Sequence, residues 1–138
     1  MLDLSAITAA IAAHLEPLFP SLNVAAEVAH VREPEVGSKP DLVVCSGPFS
    51  EIAPPNYTYK ARIECILYYQ PEAASSFDPD STLTALSSAL AAFLSSWQGS
   101  SLPSLNVHLY EGKLLPIVPK KSSLLYEYHI PVTLFLQF

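Results

Sequence analysis

SSLLYEYHIPVTLFLQF, residues 122–138, alternates so regularly that it reads as one β-strand. Leu124, Tyr126, Tyr128, Ile130, Val132, Leu134, Leu136 and Phe138 share one face, and Leu125, Glu127, His129, Pro131, Thr133, Phe135 and Gln137 the other. At about 3.3 Å per residue an unbroken strand would span roughly 50 Å. A compact domain of this length is only about 37 Å across. The pattern therefore predicts either a break, with Pro131 its natural place, or a strand that projects past its core and needs a neighbour. Projection is the expectation, because other parts of the chain also present surfaces that need covering.

Tyr57 to Gln70 repeats the alternation. Tyr57, Tyr59, Ala61, Ile63, Cys65, Leu67 and Tyr69 form a dry face, and Thr58, Lys60, Arg62, Glu64, Ile66, Tyr68 and Gln70 a wetter one. One dry and one wet face is the mark of an antiparallel strand. Pairing with residues 122–138 would bring Lys60 and Arg62 across from Glu127 on the wet side. Shorter strands are expected at 22–32, 41–46 and 105–111, with loops at 33–40, 47–56 and 112–121 set by proline and glycine.

Two helices complete the pattern. Asp3 caps the first, whose apolar stripe is Leu4, Ile7, Ile11, Leu15 and Leu18, and whose outward residues are Ser5, Thr8, Ala9, Ala12 and Ala13. Pro17 and Pro20 end it. The second, capped by Asp80 or Ser81, buries Leu83, Leu86, Leu90, Phe93, Leu94 and Trp97, with Gly99 as its stop. No Asp, Glu, Lys or Arg occurs from Ser81 through Tyr110. A surface helix usually carries a charged back; this one shows small neutral residues, which allow another surface to approach closely. The element order α-β-β-β-α-β-β predicts a single α+β domain, 1–138, with a mostly antiparallel four- to five-stranded sheet and both helices on one face.

Composition points the same way. Of 138 residues, 50% are hydrophobic and 14% charged, against roughly 25% charged in ordinary soluble domains. No apolar run nears the ~20 residues of a membrane helix, and Met1-Leu2-Asp3 does not open a signal peptide. A net charge of −6 with scattered cations argues against a phosphate-tracking groove. The excess neutral surface is then hidden by self-association or assembly. The residues expected to form contacts are Phe49 and Ile52 in the 47–56 loop, Leu114, Leu115, Ile117 and Val118 around Pro116 and Pro119, and Leu125 and Phe135 on the last strand.

Catalytic chemistry finds no material. His14, His30, His108 and His129 lie on separate elements without ligand spacing, so neither metal nor other cofactor is expected. Cys45 and Cys65 sit in strand-like segments and read as reduced, buried thiols, although spacing alone leaves a disulfide between them open. Pairing either with His30 or His108 as a nucleophile lacks the exposed, electropositive setting a thiolate needs. Asp78 and Asp80 flank a proline at a helix start, where capping accounts for them. The chain holds 4 glycines and no GxGxxG, P-loop or GxSxG. The aromatic strand faces lack the interleaved cations of a base-stacking platform. No enzymatic activity is expected.

The element order and lengths, carried by Tyr57–Gln70, Leu83–Trp97 and Ser122–Phe138 and extending over essentially the whole chain, resemble the tail terminator (tail completion) proteins of long-tailed bacteriophages. The resemblance is one of topology and carries over no individual functional residue. It implies a ring-forming structural subunit, a hexamer, that caps the tail tube, stops its growth and docks to the head–tail connector. Its partners would be its own copies, the tube protein and the connector protein. Its place would be the virion tail, after assembly in the host cytoplasm. Other neck and tail subunits reuse similar elements. The alternative from a different class is a small ligand- or peptide-binding domain that dimerises through its sheet and encloses a pocket lined by the tyrosines.

Overall fold

The computed structural model describes residues 4–18, 40–51, 58–72, 77–98, 107–122 and 124–137, with side chains excepted at 4–5, 46–51 and 58. Helix α1 spans Leu4–Leu15 and passes into a 3-10 turn at Glu16–Leu18. Strand β1 is Asp41–Glu51, β2 is Thr58–Tyr69, helix α2 is Pro79–Trp97, β3 is His108–Leu114, β4 is Val118–Lys121 and β5 is Tyr126–Gln137. The strands form one antiparallel sheet ordered β1-β2-β5-β3, with β4 also paired to β5. Both helices pack on the same face, where Ile7, Ile11, Leu15, Leu86, Leu90 and Trp97 meet Leu42, Val44, Ile63, Leu67, Val132 and Leu134. This is the two-layer α+β architecture that the pattern implies.

Strand β5 does not project. All twelve of its residues pair with β2, from Tyr126↔Tyr69 to Gln137↔Thr58. On its other side β3 pairs with residues 132–137 and β4 with 126–129. At about 3.3 Å per residue β5 is roughly 40 Å long, and β2 matches that length residue for residue. Length that seemed to need an outside neighbour is therefore housed by a sheet as long as the strand itself.

Pro131 neither breaks nor bends β5 out of its ladders. Its carbonyl accepts the Leu115 N–H at 3.0 Å, so its nitrogen points to the same side, toward the connection at residues 115–117. That is where β3 gives way to β4. The missing donor faces a gap in the neighbouring strand, and a proline is thereby accommodated inside a central strand.

Other boundaries shift for local reasons. Residues 47–51, expected as loop, belong to β1, because a bulge between Ser46 and Phe49 absorbs Gly47 and Pro48 and lets pairing resume at Phe49↔Ala61. Gly112–Leu114 and Val118–Lys121, expected as connection, are strand. Thr8 and Ala12, expected to face outward, are buried, because α1 packs on both β1 and α2. Asp78, not Asp80 or Ser81, caps α2: its carboxylate accepts the N–H groups of Asp80 at 3.2 Å and Ser81 at 3.4 Å, with Pro79 in the first turn. The strand expected at 22–32 and the stop at Gly99 lie outside the described residues, so the described order is α-β-β-α-β-β-β.

Candidate interaction surface

Segment 108–121 runs the length of β5 as one interrupted edge. A bulge between Leu109 and Glu111 and the connection at 115–117 each add a residue relative to the partner strand. Ser122 closes the turn into β5: its hydroxyl accepts the Leu125 N–H at 3.1 Å, and its own N–H donates to the Leu125 carbonyl at 3.0 Å. Among the described residues, the exposed large hydrophobics are Tyr110 (70%), Leu115 (36%) and Val118 (44%) on this stretch and Leu124 (69%) in the turn that follows it. Lys113, Lys120 and Lys121 are interspersed with them and are also exposed. The Lys113 ammonium stands 6.0 Å over the Phe135 ring and that of Lys121 5.2 Å over Tyr126. Bulges, prolines and lysines are what blunt a sheet edge against indiscriminate strand addition. The apolar side chains among them remain available for packing.

The residues expected to make contacts separate into groups. Leu115 and Val118 are on this edge and exposed, whereas Leu114 and Ile117 pack against the hydrophobic core. Leu125 and Phe135 are half-buried. Phe49 sits in β1 opposite Ala61, and Ile52 lies outside the described residues. Tyr110 and Leu124 were not singled out by sequence, because alternation assigns Leu124 to the buried face of a strand that in fact begins at Tyr126. Along α2, Thr84, Ser88, Ala91, Ala92, Ser95 and Ser96 form an exposed back without charge.

The face of the sheet away from the helices carries a polar chain unseen at the level of sequence. Register pairs Lys60 with Phe135 and Arg62 with Thr133, so neither meets Glu127. Instead Arg62 donates to Glu64 Oε1 at 3.0 Å, His129 Nδ1 lies 3.2 Å from Glu64 Oε2, and His129 Nε2 lies 3.1 Å from Glu127 Oε1. Partial burial raises the Glu64 carboxyl, but hydrogen bonds and charge from His129 and Arg62 outweigh it and hold the group below its ordinary value. The sequence signal was the i, i+2 pairs Arg62/Glu64 and Glu127/His129. Without the register nothing joined them.

The remaining candidates disperse. His14 packs on Phe93 with ring centroids 4.9 Å apart. His108 is at the far end of β3, opposite Gln137, while Cys65 is opposite Ile130. His30 lies outside the described residues. Among those described, no three His, Cys, Asp or Glu side chains converge on a possible metal position. Cys45 and Cys65 are free thiols on opposite faces, Cys65 in the core and Cys45 opposite Glu64 on the outer face, so a disulfide would require reversing a side chain through the sheet. Burial pushes the Cys65 thiol up to about 12 and, reinforced by the Glu64 charge, also raises Cys45. Both are the wrong way for a nucleophile.

Three of the tyrosines pack on one another: Tyr69 stacks on Tyr128 at 6.0 Å and meets Tyr126 and Phe77 edge-on or tilted. A shallow groove of about 470 Å3 lies elsewhere, bordered by Asp80, Leu83, Thr84, Ser87 and Ser88 of α2 and by Ile117. No protein-family model matches the chain, and neither does any curated protein.

Proposed function

We propose that this chain is a structural assembly subunit that associates through its β3–β4 edge, in the manner of a phage tail terminator. Copies would close into a hexameric ring that caps the tail tube and docks to the head–tail connector in the virion tail. The observation that carries the reading is the set Tyr110, Leu115 and Val118, exposed along one sheet edge, with Leu124 exposed in the turn that follows. Solvated edges are normally kept polar. The uncharged back of α2 supplies a second close-packing surface. The role is non-catalytic.

Light scattering across a concentration series tests the association. Val118→Asp combined with Leu124→Asp should leave the circular dichroism spectrum intact and abolish the assembly. A strictly monomeric wild-type chain, also in negative-stain images taken with tube protein present, would overturn the reading. The groove beside Ile117 favours a second reading, in which a small ligand or peptide binds between α2 and the 115–117 connection. A reproducible thermal-shift hit lost in Ser88→Arg, an exposed position bordering the groove, would favour that reading.

A further inference from the structure

We propose that the Glu127–His129–Glu64–Arg62 chain is a proton-operated latch tying β2 to β5 on the sheet face opposite the helices. His129 is 8% exposed, and its two ring nitrogens each face a different carboxylate, at 3.2 Å and 3.1 Å. A neutral imidazole has one N–H. It would satisfy one of these carboxylates and turn a lone pair on the other. The imidazolium donates to both. Arg62 takes the second oxygen of Glu64, so that carboxylate is held from both sides.

Charge bookkeeping agrees with the geometry. With His129 protonated, two carboxylates, one guanidinium and one imidazolium sum to zero. Without that proton the half-buried chain carries a net negative charge, which burial disfavours. Two other cations face the chain among the described groups: Lys120 of β4, directly opposite Glu127, and Lys113 of β3, opposite Thr133 in the row of Arg62 and 3.4 Å from Glu111. Both are exposed to water, whereas the His129 proton would sit between the two carboxylates. Cys45 on β1 is opposite Glu64 and its burial keeps the thiol neutral. Asp41 on β1 shares the row of Glu127. Ile66 and Val118, opposite His129 on either side, are apolar.

The latch is closed while His129 holds its proton and both carboxylates are ionised. It opens when pH rises enough to remove that proton. The carboxylates take opposite ring nitrogens, so the cluster is arranged for proton binding and not for a shared metal ion.

Thermal unfolding of the wild type and His129→Gln from pH 5.5 to 9 tests this, since glutamine does not titrate. The expected result is a melting-temperature gap of about 3–6 °C at the acid end that shrinks by at least half at pH 9. A gap constant across the range would overturn the latch. Should the variant fail to fold, two-bond 1H–15N spectra of the wild type decide. Protonated shifts at both His129 ring nitrogens at pH 7 support the proposal, and a pyridine-type nitrogen there overturns it.

Discussion

Trp97 donates its indole N–H to the Val107 carbonyl at 3.0 Å, fastening the last turn of α2 to the residue before β3. Both residues are buried, Trp97 at 2% exposure. A parallel bridge between Gln98 and Leu109 continues the contact. Trp97→Phe keeps most of the packing but strands the buried carbonyl, at a cost of about 1–3 kcal/mol. Trp97→Ala adds a cavity and should cost ~3–5 kcal/mol. Chemical denaturation with both variants measures the two contributions.

Gly112 is closely crowded by leucine methyl groups. A Cβ there would come within 3.0 Å of Leu94 Cδ2 and 3.2 Å of Leu109 Cδ2. The position lies on β3 opposite Leu134, beneath α2. Gly112→Val should therefore destabilise by about 1–3 kcal/mol through overpacking, despite its better strand propensity. Urea unfolding is the measurement, and a more stable variant would contradict this packing.

Asp78 and Asp80 are distinguishable by substitution. Asp78→Ala removes the oxygen that accepts two backbone N–H groups at the start of α2 and should cost ~0.5–2 kcal/mol. Asp80→Ala loses only the interaction of a first-turn charge with the helix dipole, on the order of 0.3–1 kcal/mol. Melting temperatures of the pair, compared at low salt, give the ranking.

Glu64 makes the protein's stability fall in acid. Its carboxyl is held below the ordinary value of 4.5 in the folded state, so the unfolded chain binds the proton first on acidification. The stabilisation is complete above about pH 4.5 and disappears as pH falls through the lower folded-state value. Glu64→Gln should thus be less stable than the wild type at pH 6, with the difference vanishing toward pH 3. Melting curves at half-unit pH steps follow it.

Cys65 should be inert to thiol reagents in the native state, since its thiol is fully buried and raised to about 12. Cys45, half-buried and raised beside Glu64, should react more slowly than a free thiol. Both should react fully in denaturant. Time-resolved labelling with a chromogenic disulfide reports the two phases.

Much of this fold is legible along the chain because it depends on residues close in sequence. The buried faces of β2 and β5 follow from alternation, and the core stripe of α2 from its helical spacing. Strand ends were harder. Gly47 and Pro48 look like loop until β2 offers a partner beyond the bulge, and Leu124 continues an alternation that the turn at Ser122 interrupts. The contact surface was half visible. Leu115 and Val118 stood out as apolar residues among prolines, but Leu114 and Ile117 share that pattern and pack inward.

Residues 122–138 state this division most plainly. Their alternation fixes which side chains share a face, because that is a local property of an extended backbone with period two. It carries no information about what lies alongside. Only the tertiary structure decided that β2 would match β5 over its whole length, that Pro131 would meet a gap in the edge strand, and that Glu64 and Glu127 would take the two nitrogens of His129. Register is set by partners distant in sequence, whose side chains must all pack at once.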